Sequence, residues 1–119
     1  MCSRYYFDND TMKEILDIVE KTDARLRGMQ GNRDIYPTDD APVIIRNATG
    51  GIKLTRIKWG YPRMDGSGII INARAESVLD KKMFEGGIRR RRAVIPAGYF
   101  YEWSRNKEKN TFRRKDRDT

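Results

Sequence analysis

Residues 43–59 read VIIRNATGGIKLTRIKW, and no other stretch constrains the fold as much. Val43 to Arg46 and Ile52 to Trp59 are rich in β-branched residues, and the NATGG between them has turn chemistry. A hairpin is predicted there, so the chain must build antiparallel sheet. Ile69-Ile70-Ile71 predicts a buried strand running into Asn72, and Arg92 to Trp103 a longer one. RNKEKN reads as a turn, with TFRRK as the returning partner. Helical spacing recurs only twice. Met12, Ile15, Leu16 and Val19 predict a helix over about Thr11 to Leu26, capped by Asn9 or Asp10 and ending near Gly28. Ser77 to Phe84 predicts a second, shorter helix, stopped by Gly86-Gly87. GNRDIYPTDDAP and Tyr61 to Gly68 read as loops. The fold class expected is α+β, mostly antiparallel β-sheet with short helices. A final hairpin leaves a sheet edge uncovered, which folded proteins normally manage. The chain is therefore expected to correspond to part of a larger domain.

At 119 residues there is room for one modest core. Hydrophobic residues make up 38% and charged residues 35%, the balance of a globular chain rather than a disordered one. No apolar run approaches the ~20 residues of a membrane span, and no secretory pattern opens the chain. One cysteine and no histidine exclude an internal disulfide and make a zinc site unexpected. No metal, cofactor or membrane partner is predicted, and a reducing, cytoplasmic location fits.

The net charge of +8 is unevenly placed. Arg89 to Arg92 contribute +4, and the seven basic against three acidic residues from Arg105 to Thr119 another +4. The whole excess flanks AVIPAGYFYEWS. Solvated charged turns would account for it; so would a basic rim for a polyanion, of which nucleic acid is the commonest.

Three polar features interrupt this scaffold. The single thiol, Cys2, sits directly behind the initiator methionine. A lone cysteine is usually a small buried hydrophobe, but at position two, once Met1 is trimmed, it carries an α-amine and a thiol on neighbouring carbons. Their reference pKa values are roughly 8 and 8.5, so the pair suits covalent chemistry with a carbonyl. Asn72-Ala73-Arg74-Ala75-Glu76-Ser77 follows the triple isoleucine, where ordinary helix capping would explain it. Glu102 lies inside an apolar strand between Tyr101 and Trp103. Alternation could turn it to solvent; kept among the rings, its carboxylate would be partly desolvated and suited to acid/base work.

Taken together, MCSRY at the start, Trp59-Gly60, NARAES at 72–77 and RRAVIPAGYFYEW at 91–103 closely resemble the SOS-response-associated peptidase (SRAP) family. The family pattern reads roughly M-C-G-R-[FY], W-G, N-A-R-x-E-[ST] and R-R-C-[IL]-[IV]-P-x-x-G-[FWY]-[FY]-E-W. Ser3 replaces its glycine and Ala93 its cysteine. The match runs from Met1 to about Arg113, the N-terminal portion of the domain. The family pattern continues to a histidine that this chain does not contain, so catalysis is expected to suffer more than recognition.

The resemblance implies a partly barrel-like sheet and a chemistry. An abasic site in single-stranded DNA opens to an aldehyde, and Cys2, freed of Met1, would crosslink to it as a thiazolidine. By the same resemblance Glu102 is the acid/base and Asn72 a hydrogen-bonding group near Cys2 and the sugar. Arg4 and Arg74 become phosphate ligands. Trp103, Trp59 and Pro37 become wedges or stacking surfaces for neighbouring bases. Two other readings stay open: a non-catalytic single-stranded nucleic-acid-binding fragment, and a thiol autopeptidase acting on its own N-terminus.

Overall fold

The central hairpin forms where the sequence places it, in a computed structural model that describes residues 2–19, 21–22 and 32–115. Strand β4 (Asp40–Arg46) and strand β5 (Ile52–Lys58) pair antiparallel from Asp40↔Lys58 to Arg46↔Ile52. The turn is organised by Asn47, whose side-chain oxygen accepts from Thr49 N, Thr49 Oγ1 and Gly51 N at 2.8–3.0 Å. Gly50 takes φ +93°, which a side chain would resist. Pro42 is buried within β4 and is tolerated because β4 is an edge strand.

A four-stranded antiparallel sheet packs beside it. Its order is β3 (Arg33–Ile35), β1 (Tyr5–Phe7), β8 (Tyr99–Trp103), β9 (Lys109–Phe112). Strand β2 (Lys21–Thr22) runs parallel to β5, and β6 (Tyr61–Pro62) pairs with β7 (Ile69–Ile70). The described strands form open sheets and close no barrel. The core is small. Tyr5, Phe7, Met12, Ile15, Ile35, Ala41 and Leu54 form one buried cluster joining the four-stranded sheet, the hairpin and helix α1 (Asn9–Leu16).

Several elements depart from expectation. Helix α1 is capped by Asp8, whose carboxylate accepts from Thr11 N at 2.7 Å, rather than by Asn9 or Asp10. It ends at Leu16, because Met12 and Ile15 already reach the core and the following segment adds the short strand β2 to β5. The expected end at Leu26 and Gly28 lies outside the described residues. The stretch read as a loop around Pro37 contains β3 and the start of β4, recruited by pairing with β1 and β5. The loop at Tyr61 to Gly68 begins with β6. Ile69 and Ile70 are half-buried rather than buried.

The second helical region splits into a 3-10 turn, Val78–Asp80, and helix α2, Lys82–Arg90. Gly86-Gly87 lies inside α2 and does not stop it. The predicted strand from Arg92 shrinks to β8, preceded by a bridge between Val94 and Ile44 and by Gly98 N donating to the Tyr6 carbonyl at 2.8 Å. Pro96, which has no N–H to give a ladder, separates the two.

Candidate functional site

The N-terminal segment leads into β1 and lies where β7 delivers Asn72. Asn72 Nδ2 donates to the Cys2 carbonyl oxygen at 2.9 Å, a contact across seventy residues of chain. This bond holds the backbone of residue 2 in place. The Cys2 thiol is half-buried and faces the Arg4 carbonyl oxygen at 3.5 Å. Next to Asn72, the Ile71 carbonyl accepts from Trp59 Nε1 at 3.1 Å, and the Trp59 ring lies 5.8 Å from Tyr5. Trp59 is thus half-buried and fixed at both ends, a wall rather than a free wedge.

Pro37 belongs to the same neighbourhood. Tyr36 to Asp39 form a tight turn, closed by Asp39 N to the Tyr36 carbonyl at 3.0 Å, with Thr38 at φ +76°. Proline followed by positive φ is the pattern of a type II turn. Thr38 N donates to the Trp59 carbonyl and Trp59 N to the Asp39 carbonyl, both at 2.9 Å, so the turn is laced to Trp59.

Arg4 occupies an aromatic cage. Its guanidinium lies 4.3 Å from the Tyr101 ring centre, 5.4 Å from Trp103 and 5.6 Å from Tyr36. One terminal nitrogen donates to the Tyr36 hydroxyl at 3.2 Å, and Nε stands 3.4 Å from Asp34 Oδ2 without hydrogen-bond alignment. The other Asp34 oxygen accepts from the Tyr101 hydroxyl at 2.9 Å. Burial, then hydrogen bonds to Tyr99 and Asp34, push the Tyr101 phenol far above its ordinary range. Arg4 therefore reaches the site already partnered. Arg74 differs: it is exposed, and among the described residues its side chain makes no ion pair.

Strand alternation separates the remaining residues. Tyr99, Tyr101 and Trp103 share one face of β8 with Arg4. Phe100, paired with Tyr5, and Glu102, paired with Asn110, share the other. Glu102 is half-buried there. So the structure joins Cys2 to Asn72, Arg4 to Trp103, and Pro37 to Trp59. It places Glu102 and Trp103 back to back.

Four residues of this neighbourhood escaped the sequence reading: Tyr5, Asp34, Tyr36 and Tyr101. Asp34 and Tyr36 fell in a presumed loop and carried no periodic signal. Tyr101 was visible in the Y-E-W block but drew no separate role. Tyr5 is 5% exposed, and its hydroxyl has no hydrogen-bond partner among the described residues. Burial pushes its phenol up to about 12; Asp39 and Cys2 add to the rise and Arg33 opposes it. Among the described residues no group of His, Cys, Asp or Glu could hold a metal ion, and no helix is long and apolar enough to cross a membrane.

Residues 1–119 match the family described as SOS response associated peptidase (SRAP). The chain is 31% identical over 81 residues to YoaM of Bacillus subtilis (strain 168), covering 64% of this chain and 35% of that protein. It is 28% identical over 114 residues to YoqW of the same organism, covering 88% and 49%. Both are named abasic site processing proteins. The chain thus spans half or less of the length of these curated relatives. A crystal structure of a Bordetella bronchiseptica protein shares its fold at TM-score 0.67 and 21% identity, over 97% of this chain and 58% of that one.

Proposed function

The chain belongs to the SRAP family, and from that premise we propose that it serves abasic-site processing on single-stranded DNA, with Cys2 as the crosslinking residue. The observation that carries this reading is the hydrogen bond from Asn72 to the Cys2 carbonyl. It fixes the backbone of residue 2 while leaving both its amine and its thiol uncommitted to that bond. A nucleophile held in one place avoids part of the entropic barrier to attack.

The proposed chemistry begins with hydrolysis of the Met1–Cys2 peptide bond. The freed amine attacks the aldehyde carbon of the ring-opened sugar, and loss of one water gives an imine. The thiol sulfur then adds to the imine carbon, its proton passes to nitrogen, and a five-membered thiazolidine closes. One water leaves and no electrons are exchanged. Glu102 is the proposed proton-transfer residue, with Asn72 holding Cys2. Arg74 is the freer phosphate ligand, Arg4 a partnered one. Trp59, Pro37 and Trp103 supply surfaces for bases beside the lesion. Action on DNA in the cytoplasm, at the nucleoid, follows from this reading.

Intact-mass measurement after incubation with an abasic single-stranded oligonucleotide tests it. The expected product is protein without Met1, plus the oligonucleotide, minus one water. Cys2→Ser retains the amine, so borohydride should trap an imine where no denaturation-stable adduct forms. Normal crosslinking by protein that still carries Met1 would overturn the thiazolidine route. Electrophoretic binding without any adduct would favour the non-catalytic reading, and loss of Met1 with neither would favour the autopeptidase.

A further inference from the structure

Lys109 opens β9 and Arg113 follows its last residue, and both sit on tyrosine rings of β8. Residues paired directly across an antiparallel ladder share a face of the sheet. Tyr6 pairs with Tyr99, Tyr101 with Thr111, and Trp103 with Lys109, so one face carries all of these side chains. Tyr6 and Tyr99 stack at 4.5 Å and 14°, and Tyr99 meets Tyr101 edge-on at 5.4 Å. Lys109 Nζ lies 4.3 Å from the Tyr101 ring centre, and the Arg113 guanidinium 4.9 Å from that of Tyr99. Arg4 stands over Tyr101 as well. Three cations thus follow one aromatic ladder, from Arg4 through Lys109 to Arg113.

The charge on this face is one-sided. Asp34 and Glu102 are the carboxylates within the four strands, and Glu102, paired with Asn110, lies on the opposite face. Asp34 is already engaged by the Tyr101 hydroxyl at 2.9 Å and stands 3.4 Å from Arg4. Lys109 and Arg113 are exposed, and neither makes an ion pair with another described residue. A ring attracts a cation through its quadrupole but uses few of its hydrogen-bond donors. The Lys ammonium brings three donors and the Arg guanidinium five. The tyrosines therefore steady both heads and leave donors for an anion. Four residues of strand separate the two by about 13 Å. One small anion cannot meet both, whereas an extended chain of anions can.

We propose that this face of β8 and β9 is a phosphate track for single-stranded nucleic acid, with Lys109 and Arg113 each holding a backbone phosphate. A single strand bends to follow a line of cations; a stiff duplex offers its phosphates at fixed places. Arg4 joins the track to Cys2, two residues before it. The inference therefore rests on the reading of Cys2 chemistry given above, and adds where the strand runs beyond the lesion.

Binding is measured by fluorescence anisotropy over a range of salt, with a tetrahydrofuran abasic analogue that has no aldehyde and cannot crosslink. Two oligonucleotides are compared, one reaching only the nucleotides beside the lesion and one extending well beyond it on both sides. The longer should show the steeper slope. On it, Lys109→Gln and Arg113→Gln should each reduce the slope by about 0.7, and the double variant by about 1.4. On the shorter one the double variant should keep the wild-type slope. Both positions are exposed, so melting temperatures should not change. Lys109→Arg combined with Arg113→Lys keeps both charges and should keep the slope.

An unchanged slope in the double variant on the longer oligonucleotide would overturn the proposal. So would equal losses on both lengths, or tighter binding to a duplex than to a single strand of the same length. If the wild-type protein still crosslinks an aldehyde-bearing oligonucleotide in that case, the Cys2 reading survives alone. A length-dependent loss of slope without any adduct would leave the track standing and the crosslinking reading refuted.

Discussion

At the scale of single residues, Tyr5 and Glu102 make opposite demands on the fold. Tyr5 buries a hydroxyl with no partner among the described residues, and an unpaired buried group of this kind costs about 1–3 kcal/mol. Tyr5→Phe is therefore expected to leave stability unchanged or raise it by about 1 kcal/mol, read from urea melts. The same phenol titrates at about 12 rather than near 10. Its folded-state pKa is raised, so its contribution is intact below pH 10 and is lost as pH climbs from about 10 to 12. The loss is up to roughly 2 kcal/mol, and Tyr5→Phe should flatten that alkaline fall. Glu102 is tested by kinetics. In a full-length relative, Glu102→Gln should slow adduct formation by roughly 10²–10⁴-fold, the range of general acid/base catalysis, with DNA binding little altered. Equal crosslinking by both forms would make Glu102 structural.

Elements are held by few contacts here, so individual caps and turns matter. Asp8 closes the first turn of α1 through Thr11 N at 2.7 Å. Asp8→Ala should lower stability by about 1 kcal/mol, visible as a shifted urea midpoint with the same slope. Thr38 carries positive φ in the turn laced to Trp59, a conformation that strains a β-branched residue. Thr38→Gly relieves that strain at some expense in unfolded-chain entropy, and a net gain of up to about 1 kcal/mol is expected. A marked loss instead would mean that the Thr38 side chain itself holds the turn. Helix α2 shows how an element yields to its neighbours. Two adjacent glycines weaken it, and what they allow is the approach of Tyr61 and Arg91.

Over the whole molecule, charge and apolar surface are distributed for contact. Val94, Ile95, Phe100 and Phe112 are 43–61% exposed, and the basic excess lies in the segments before and after β8, at residues 89–92 and 105–119. Single-stranded DNA binding should weaken with salt at a slope of roughly −0.7 per neutralised phosphate. The two predicted arginines should now behave differently. Arg74→Ala should reduce the slope by one contact's worth and leave the melting temperature alone. Arg4→Ala should lower the melting temperature as well, because it empties the cage of Tyr36, Tyr101 and Trp103 and removes the cation beside Asp34, which keeps only its Tyr101 hydroxyl among the described residues. Equal effects of both variants on stability would contradict the partnering seen at Arg4.

The sequence alone determined what depends on near neighbours. Alternation and turn residues specified the β4–β5 hairpin, the Y-E-W strand and its returning partner, and the ordered motifs identified the family. The position of the single thiol drew attention to Cys2, and the family resemblance nominated Asn72 and Glu102 beside it. The tertiary structure decided what depends on distant partners. Strands β2 and β3 are only two and three residues long and exist because β5 and β1 offer them backbone hydrogen bonds, so no local pattern announced them. Gly86-Gly87 looked like a helix stop because propensity counts the residue and not the neighbours that its missing side chain admits. Arg4 looked like a free phosphate ligand, but Asp34 and Tyr36 meet it from a strand and turn hidden in a presumed loop. Local preference is written along the chain; which charges are satisfied and which surfaces stay open is settled only when distant segments meet.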